Sequence, residues 1–557
     1  MLYDSKPWLK SYDPDVSAEI EIPDISLPEM IVRAFEEYAH RAAFHYLGAT
    51  TTFGELLEHS GRFARALSER GLGKGDLVAI NLPNIPQYLI ALVGSLRAGC
   101  AISGLSPLLT PGEMVYQLKD CGAKALVTLD LLFEAKYAGV ADQTPEVKQV
   151  LVAGVFDCLP SVADYPVGRP LAGKEVASFM GFFSSRPDEP PRVGFTGDEA
   201  CYIQYTGGTT GPPKGAVLTH RNLVANMCQF EHWSKFEKGN EIFLCGFPFF
   251  HQAGLFLGTC ALSWGVTQIL IPDPRKVDHI IGEYEKYRPT LLLNVPSLYM
   301  MLLAEEAFRR QDFSRVKYCG SGAAPFPAEA VRDLEAVVGR GKMVEVWGMT
   351  ETSPLVTVNP VRGKKKIGSV GLPLPNTRLR IVDLADGETQ VPLGGEGELI
   401  CSGPQVMKGY LNKPEETRNA LREHDGAVWM HTGDVGRMDE DGYVYVVDRA
   451  KDMLIVGGYK VFSSEVEDKL FKHPAIGMCA LIGLPNPQRP DSEIVKLVVQ
   501  KSEAYRDRPD AEVEAELRAY AKENLAPYKV PKIYEFVDAI PLTSVGKVDK
   551  KALRRKS

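Results

Sequence analysis

The sequence predicts an α/β protein: a large N-terminal region of two layered βα sheets plus a β-rich subdomain, then a small, mobile α+β C-terminal domain. Three observations carry this. Short apolar runs alternate with amphipathic stretches through the first half, the rhythm of a mostly parallel sheet covered by helices. From about Gly363 the texture changes to apolar segments punctuated by Gly and Pro. From about residue 451, strands and amphipathic helices mix over ~100 residues, a size that folds independently. With 557 residues the chain is too long for one core. The expected division is 1–450 and 451–557, with a hinge near 449–452.

In chain order, Leu77–Leu82 reads as a strand, Pro86–Ala98 as a helix and Ala123–Leu129 as a strand. The apolar stretch Tyr88–Ile102 is broken by Arg97 and Gly99 and is too short to span a bilayer, so it belongs to a core helix. Residues 155–198 are rich in Pro, Gly and Ser and read as irregular connection. Cys201–Tyr205 and Ala216–Leu218 are strands around a glycine-rich loop, and a helix starts after Thr219, a good N-cap. Pro289–Val295 and Val316–Cys319 continue the strands. Arg378–Val382, Gly397–Cys401 and Tyr443–Val447 form the β-rich subdomain. The tail carries strands Met478–Gly483 and Ile494–Gln500 and helices Ser464–Lys472 and Ala511–Asn524.

The net charge of −8 argues against sequence-independent nucleic-acid binding. Ten scattered cysteines with no C-x-x-C pair fit reduced thiols in a cytoplasmic protein better than disulfides or a zinc site. Met1–Lys10 has no apolar segment after a basic start, so no secretory signal is expected. Peripheral membrane contact and a homodimer are both left open.

The loop Tyr205–Gly215 reads Tyr-Thr-Gly-Gly-Thr-Thr-Gly-Pro-Pro-Lys-Gly. Bare backbone, hydroxyls and one lysine suit a polyanion. It is not a Walker loop, because Lys214 lies between Pro213 and Gly215 rather than before a Ser or Thr that opens a helix. Taken alone, a plain Gly/Thr turn is the competing reading. Five further segments join it. Gly320-Ser321-Gly322-Ala323-Ala324-Pro325 is a small-residue turn against which a flat ring can lie. Val346–Thr352 sets Trp347, Thr350 and Glu351 within five residues, and a carboxylate beside phosphates calls for a cation between them. His431-Thr432-Gly433-Asp434 offers an aspartate for vicinal hydroxyls, or an ordinary Asx-turn. Asp448–Asp452 packs charges between two apolar segments, as a surface turn or a hinge would. Ser544–Val548 holds Lys547 in a polar loop.

The order and wording of these segments resemble the adenylate-forming superfamily of acyl-CoA synthetases, luciferases and peptide-synthetase adenylation domains, from about Leu27 to Arg555. The similarity is greatest to bacterial fatty-acyl-CoA synthetases: Pro7-Trp8-Leu9-Lys10-Ser11-Tyr12, the doubled Gly207-Gly208 where most members have Ser-Gly, and Gly403–Met407 followed by Gly409-Tyr410. Trp347 stands where many relatives have tyrosine.

The resemblance implies an ATP-dependent acid–CoA ligase that forms an acyl-adenylate, releases pyrophosphate, then passes the acyl group to the coenzyme A thiol and releases AMP. Two anions must meet in the first step. At ~4 Å their repulsion is about 1 kcal/mol in water and about 4 kcal/mol at an effective dielectric of 20, so positive groups aimed at the reacting oxygens are required. By resemblance, Thr206, Gly207, Gly208, Thr209, Thr210, Gly211 and Lys214 enfold the β- and γ-phosphates and Thr350 touches the α-phosphate. Glu351, with Thr206, holds Mg²⁺. Asp434 and Arg449 take the ribose, while Gly322, Ala323, Ala324, Pro325 and Trp347 flank adenine. Lys547 bridges the carboxylate and α-phosphate. For the second step the terminal domain turns about Lys451, placing Gly457, Gly458, Tyr459 and Lys460 beside the pantetheine channel. His251, otherwise a packed histidine, stands near the meeting point of acyl group and thiol. The acyl pocket is expected between Trp233, Phe249, His251, Leu255 and Gly320–Ala323, and its apolar character favours a medium- or long-chain fatty acid. Competing readings are an aryl or alicyclic acid, loading of a carrier protein, a luciferase-like oxygenase and a non-catalytic scaffold.

Overall fold

The computed structural model describes residues 3–159, 162, 165, 167–206, 212–450, 452–457, 459–489, 492–543 and 548–555. Among them an eight-stranded sheet runs in the order Gly409–Tyr410, Lys214–Thr219, Ala200–Thr206, Ala101–Gly104, Leu77–Asn81, Ala125–Leu129, Gln149–Ala153, Glu175–Ser178. Its middle is parallel, and its strands Leu77–Asn81, Ala125–Leu129 and Gln149–Ala153 are buried at every position. Continuous apolar runs give this result because helices cover both faces. At the other end, Ala200–Thr206 and Lys214–Thr219 form an antiparallel hairpin around the glycine-rich loop. Gly409–Tyr410 then pairs antiparallel with the outgoing arm.

A nine-stranded sheet is built mainly from parallel strands, among them Ile242–Cys245, Leu291–Leu293, Tyr318–Ser321 and Met343–Gly348. Helices Pro86–Arg97 and Gln252–Ser263 are buried almost all round, as expected of elements enclosed within a large core. Helix His220–Ser234 starts on a capping box between Thr219 and Asn222. A mainly antiparallel sheet of Arg378–Val382, Gly397–Ser402, Ala427–Met438, Leu421–His424 and Val444–Arg449 forms the β-rich subdomain. Beyond it, strands Ile476–Pro485, Glu493–Lys501 and Ile533–Phe536 pack with helices Ser463–Leu470 and Asp510–Asn524 on a separate core, including Val466, Leu470, Leu481, Leu497, Val513 and Leu517.

Two details depart from the sequence reading. The segment 155–198 is not wholly irregular: Glu175–Ser178 joins the sheet edge and Phe179–Phe183 makes a short helix. Its rings close on Phe63, with centroids 5.4 Å to Phe179 and 5.6 Å to Phe182. Tertiary aromatic packing outweighs the Pro- and Gly-rich flanks. The helix read into Tyr88–Ile102 stops at Arg97, Gly99 turns at φ +90°, and Ala101–Gly104 returns as a strand. No helix among the described residues is long and apolar enough to cross a membrane. All ten cysteines are free thiols.

The small domain is tied to the β-rich subdomain through a borrowed cap. Helix Ser463–Leu470 has no side-chain cap from its own preceding residue. Asp448 Oδ2 instead accepts from the Ser463 N–H and from Ser463 Oγ (2.9 Å). Lys550 Nζ joins the cluster at 2.8 Å from Glu467, and Arg554 pairs with Asp452 at 2.9 Å.

Candidate active site

A cavity of about 660 Å³ opens where the loop hairpin, the ends of the nine-stranded sheet and the β-rich subdomain meet, with Thr543 of the small domain on its wall. Thr206 and Lys214 face it from the last and first residues of their strands. Gly207, Gly208, Thr209, Thr210 and Gly211 lie outside the described residues, as do Lys451, Gly458 and Lys547. Lys214 Nζ sits 2.8 Å from Glu416 and 4.5 Å above the Tyr410 ring.

Thr350 and Glu351 are placed by the 3-10 turn Thr350–Thr352. The Thr352 hydroxyl donates to Pro354 O (2.6 Å) and accepts from Met349 N (3.1 Å). Gly348 precedes this turn where a Cβ would come within 1.9 Å of Pro354 O, so only glycine fits. The buried Glu351 carboxylate receives the Tyr410 hydroxyl at 2.7 Å. Burial, and then the charge of Glu351, push the Tyr410 phenol far up, so it remains a donor. One carboxylate supported by a tyrosine is not an all-protein metal cage, and the described residues contain no cluster of three or more metal-ligating side chains. That donor set matches Mg²⁺, which takes one or two carboxylates together with substrate phosphates.

Asp434 is buried. Its Oδ2 accepts from Trp347 Nε1 at 2.8 Å and its Oδ1 faces Arg449 Nε at 2.9 Å. Asp434 and Arg449 are cross-strand partners, which fixes the pair. Gly322, Ala323 and Arg449 line the cavity; Ala324, Pro325, Trp347 and Asp434 are not among its lining residues, the Trp347 indole being turned to Asp434. Glu398, His431 and Gly433 also line the cavity and are joined by hydrogen bonds. Glu398 accepts from Gly433 N (2.9 Å) and meets His431 Nδ1 (3.0 Å), and His431 Nε2 lies 2.9 Å from His424 Nε2. Burial raises the Glu398 carboxyl, but His431 and the Gly433 N–H outweigh it and hold it below the ordinary range.

At its apolar end the cavity is bounded by Phe230, Phe247, Phe256, Leu257, Val344 and Val346. His251 lines it and caps helix Gln252–Ser263, accepting from Ala253 N at 3.4 Å. The acyl-pocket expectation needs correcting at three positions, because Trp233, Phe249 and Leu255 do not line this space. The Trp233 indole donates to Asn359 O (3.1 Å), Phe249 packs on Tyr88 (5.4 Å), and Leu255 is core. The neighbouring helix faces are presented by Phe230 and Phe256 instead. Gly457, Tyr459 and Lys460 belong to a separate hairpin away from the cavity lining. Tyr459, 60% exposed, stacks on Tyr528 at 4.6 Å.

Tyr410, Glu416, Glu398 and His431 were not singled out as site residues from the sequence. Tyr410 and His431 lie inside quoted motifs, but Glu398 and Glu416 carry no local signal.

Residues 31–411 match the model of the AMP-binding enzyme family, and residues 465–547 that of the AMP-binding enzyme C-terminal domain. The chain is 38% identical to a long-chain-fatty-acid–CoA ligase of Bacillus subtilis, covering 98% of this chain and 97% of that one. It is 36% identical to a feruloyl-CoA synthase of Amycolatopsis, over 94% and 98% of the two chains. Among solved structures, ATP-bound MatB from Rhodopseudomonas palustris superposes with a TM-score of 0.82 at 29% identity, covering 96% of this chain and 99% of that one.

Proposed function

We propose the chemistry of this site from one premise: the chain belongs to the AMP-binding enzyme family. It is an ATP-dependent acid–CoA ligase that works through an acyl-adenylate. The assignment of roles is supported chiefly by one observation. Thr206, Lys214, Thr350, Glu351 and Arg449, drawn from three distant segments, face one cavity whose other end is apolar.

In this reading MgATP lies with its phosphates between the Thr206–Lys214 hairpin and the Thr350–Thr352 turn. Phosphate oxygens replace Glu416 as the partner of Lys214. Glu351 and Thr206 hold the Mg²⁺, which when bound neutralises phosphate charge, and Tyr410 keeps the Glu351 carboxylate in place. Gly322–Pro325 flank adenine. Asp434, clamped by Trp347, takes the ribose hydroxyls with Arg449, so Trp347 acts here through Asp434. Thr350 and Lys547 bind the oxygens where carboxylate meets α-phosphate, lowering the repulsion that opposes the first step. The acid's oxygen bonds to the α-phosphorus as the bond to pyrophosphate breaks. In the second step the small domain, beginning at 451, turns about the 449–452 joint and brings Gly457–Lys460 to the pantetheine arm. The thiol sulfur bonds to the acyl carbon and AMP leaves, with His251 positioning that encounter.

The acid is a medium- or long-chain fatty acid, as the apolar walls and the naming of the 35–38% identical ligases support. An aryl acid is a second reading, favoured by the similarity to the Amycolatopsis feruloyl-CoA synthase. The test is acid-dependent AMP release with free coenzyme A over C2–C18 and aromatic acids. Silence across the panel, with no ATP–pyrophosphate exchange, would refute the assignment.

A further inference from the structure

Strands Gly397–Ser402 and Ala427–Met438 lose step beside the cavity. Glu398 pairs with Val435 and Ile400 with His431, so Leu399 alone stands opposite Thr432, Gly433 and Asp434. Gly433 takes φ +68°, the left-handed conformation that suits a glycine in a bulge. Backbone groups that leave a ladder must find partners elsewhere, and here side chains supply them. The Gly433 N–H donates to Glu398 Oε1 (2.9 Å), the Asp434 N–H to Thr432 Oγ1 (3.1 Å), and the Thr432 hydroxyl to Leu399 O (2.6 Å). Gly433 O accepts from Ala450 N (2.9 Å), at the joint to the small domain. Thr432 and Gly433 line the cavity, and Asp434 follows them. The other Glu398 oxygen lies 3.0 Å from His431 Nδ1, and His431 Nε2 lies 2.9 Å from His424 Nε2. A carboxylate only accepts, so with neutral imidazoles His431 donates from Nδ1, accepts at Nε2, and His424 is the donor there. Three strands therefore orient one carboxylate.

Resting on the reading that Asp434 takes the ribose hydroxyls, we propose that Glu398 and His431 are positioning residues for nucleotide choice: they hold the bulge that aims Asp434, and so set the preference for ribose over deoxyribose. Both Glu398 oxygens are engaged within the protein, so it shapes the wall rather than meeting phosphates, which its charge would repel. Asp434 has no partner in the register of strand Gly397–Ser402; on that side the bulge alone sets its place. Without Glu398 the Gly433 N–H loses its acceptor and the bulge is free to flatten. A shift of ~1 Å in a positioned group costs on the order of 10²-fold. Only the hydroxyl-dependent part of nucleotide binding passes through Asp434. The loss therefore falls on ATP and spares a nucleotide that lacks the hydroxyl.

The experiment compares ATP with its 2′-deoxy and 3′-deoxy forms in acid-dependent pyrophosphate exchange by the full chain, as kcat/KM, and calorimetry reads the same ratios as binding. A hydroxyl bonded to a carboxylate is worth about 10- to 150-fold, so ATP should exceed at least one deoxy form by about tenfold or more. Glu398→Ala should bring that ratio within about threefold, chiefly by losing ATP. Glu398→Gln should keep it within about twofold of the unaltered value, because the amide oxygen still accepts from Gly433 and the amide nitrogen donates to His431 once both imidazoles exchange tautomer. His431→Leu, which frees the second oxygen, should fall between the two and answers the question if Glu398→Ala does not fold. A loosened fold would slow all three nucleotides alike and leave the ratio where it was. A ratio near one in the unaltered protein overturns both the ribose role of Asp434 and this proposal. A ratio of about tenfold or more that Glu398→Ala and His431→Leu leave untouched, or that Glu398→Gln loses as fully as Glu398→Ala, overturns the proposal and leaves the role of Asp434 standing.

Discussion

Replacing Tyr410 by phenylalanine removes one oxygen from the site and little else. The hydroxyl donates to the Glu351 carboxylate at 2.7 Å, and both residues are buried. A charge-assisted bond of this kind is worth about 1.5–3 kcal/mol. At 1.36 kcal/mol per tenfold this corresponds to a loss of about 10- to 150-fold. The phenylalanine ring keeps the face over which Lys214 Nζ sits at 4.5 Å, so the phosphate-loop lysine is undisturbed. The assay is acid-dependent ATP–pyrophosphate exchange, read as kcat/KM for MgATP, with thermal unfolding as a check on the fold. Glu351→Gln supplies the second arm of a double-mutant cycle. If Tyr410 acts through Glu351, the double variant should be little worse than Glu351→Gln alone. A change under about twofold in Tyr410→Phe, or losses that add across the cycle, would refute the reasoning. Tyr410→Leu should cost a further ~0.5–1 kcal/mol by removing the ring beneath Lys214.

Other expectations follow from separate parts of the molecule. Lys547→Ala should abolish adenylate formation yet leave thioester formation from supplied acyl-adenylate largely intact; equal loss in both half-reactions contradicts a rotating small domain. Burial pushes the Glu345 carboxyl up to about 7, and Asp468, raised to about 6 itself, adds to it from the small domain together with Glu335, against the Gly368 N–H. Between the ordinary 4.5 and about 7 the folded protein keeps a proton that the unfolded chain has lost, so stability falls as pH rises through that window. Glu345→Gln should flatten this slope, by up to about 3 kcal/mol in urea unfolding; an unchanged slope rejects the assignment. Asp448→Ala should weaken the cap on helix Ser463–Leu470 by about 1–2 kcal/mol and speed proteolysis at 449–453. Wild-type cleavage rates would show that the cap does not hold the joint.

The parts of the site that were legible in sequence are those whose chemistry is local. The Thr206–Lys214 run and Trp347-Gly348-Met349-Thr350-Glu351 each carry their distinctive chemistry within a few residues, and Thr206, Lys214, Thr350 and Glu351 do line one cavity, while the βα rhythm declares the sheets. What stayed hidden depends on contacts between distant segments. Glu416 meets Lys214 across 202 positions and Tyr410 meets Glu351 across 59, through strand pairing that no window of sequence contains. The phenylalanines of Phe179–Phe183 likewise read as part of a Pro- and Gly-rich connection until Phe63 is seen beside them. Trp233 was misplaced for the same reason: its helix was correctly expected, but which face meets the cavity is settled by packing.

The two-residue strand Gly409–Tyr410 has a consequence for how readiness is governed. It lies at the sheet edge, held with its flanks by bonds such as Lys408 N to Val217 O (3.0 Å) and Leu411 N to Gly215 O (2.8 Å). Glu416 follows in the next helix. Peeling this ribbon away would at once release the Glu351 carboxylate and strip Lys214 of its ring and counter-ion, although neither residue lies on it. On the proposed roles of Lys214 and Glu351, competence for nucleotide would then depend on the local folding of one short edge. Its free energy is open to measurement by amide exchange at Lys408 and Leu411, before any substrate is added.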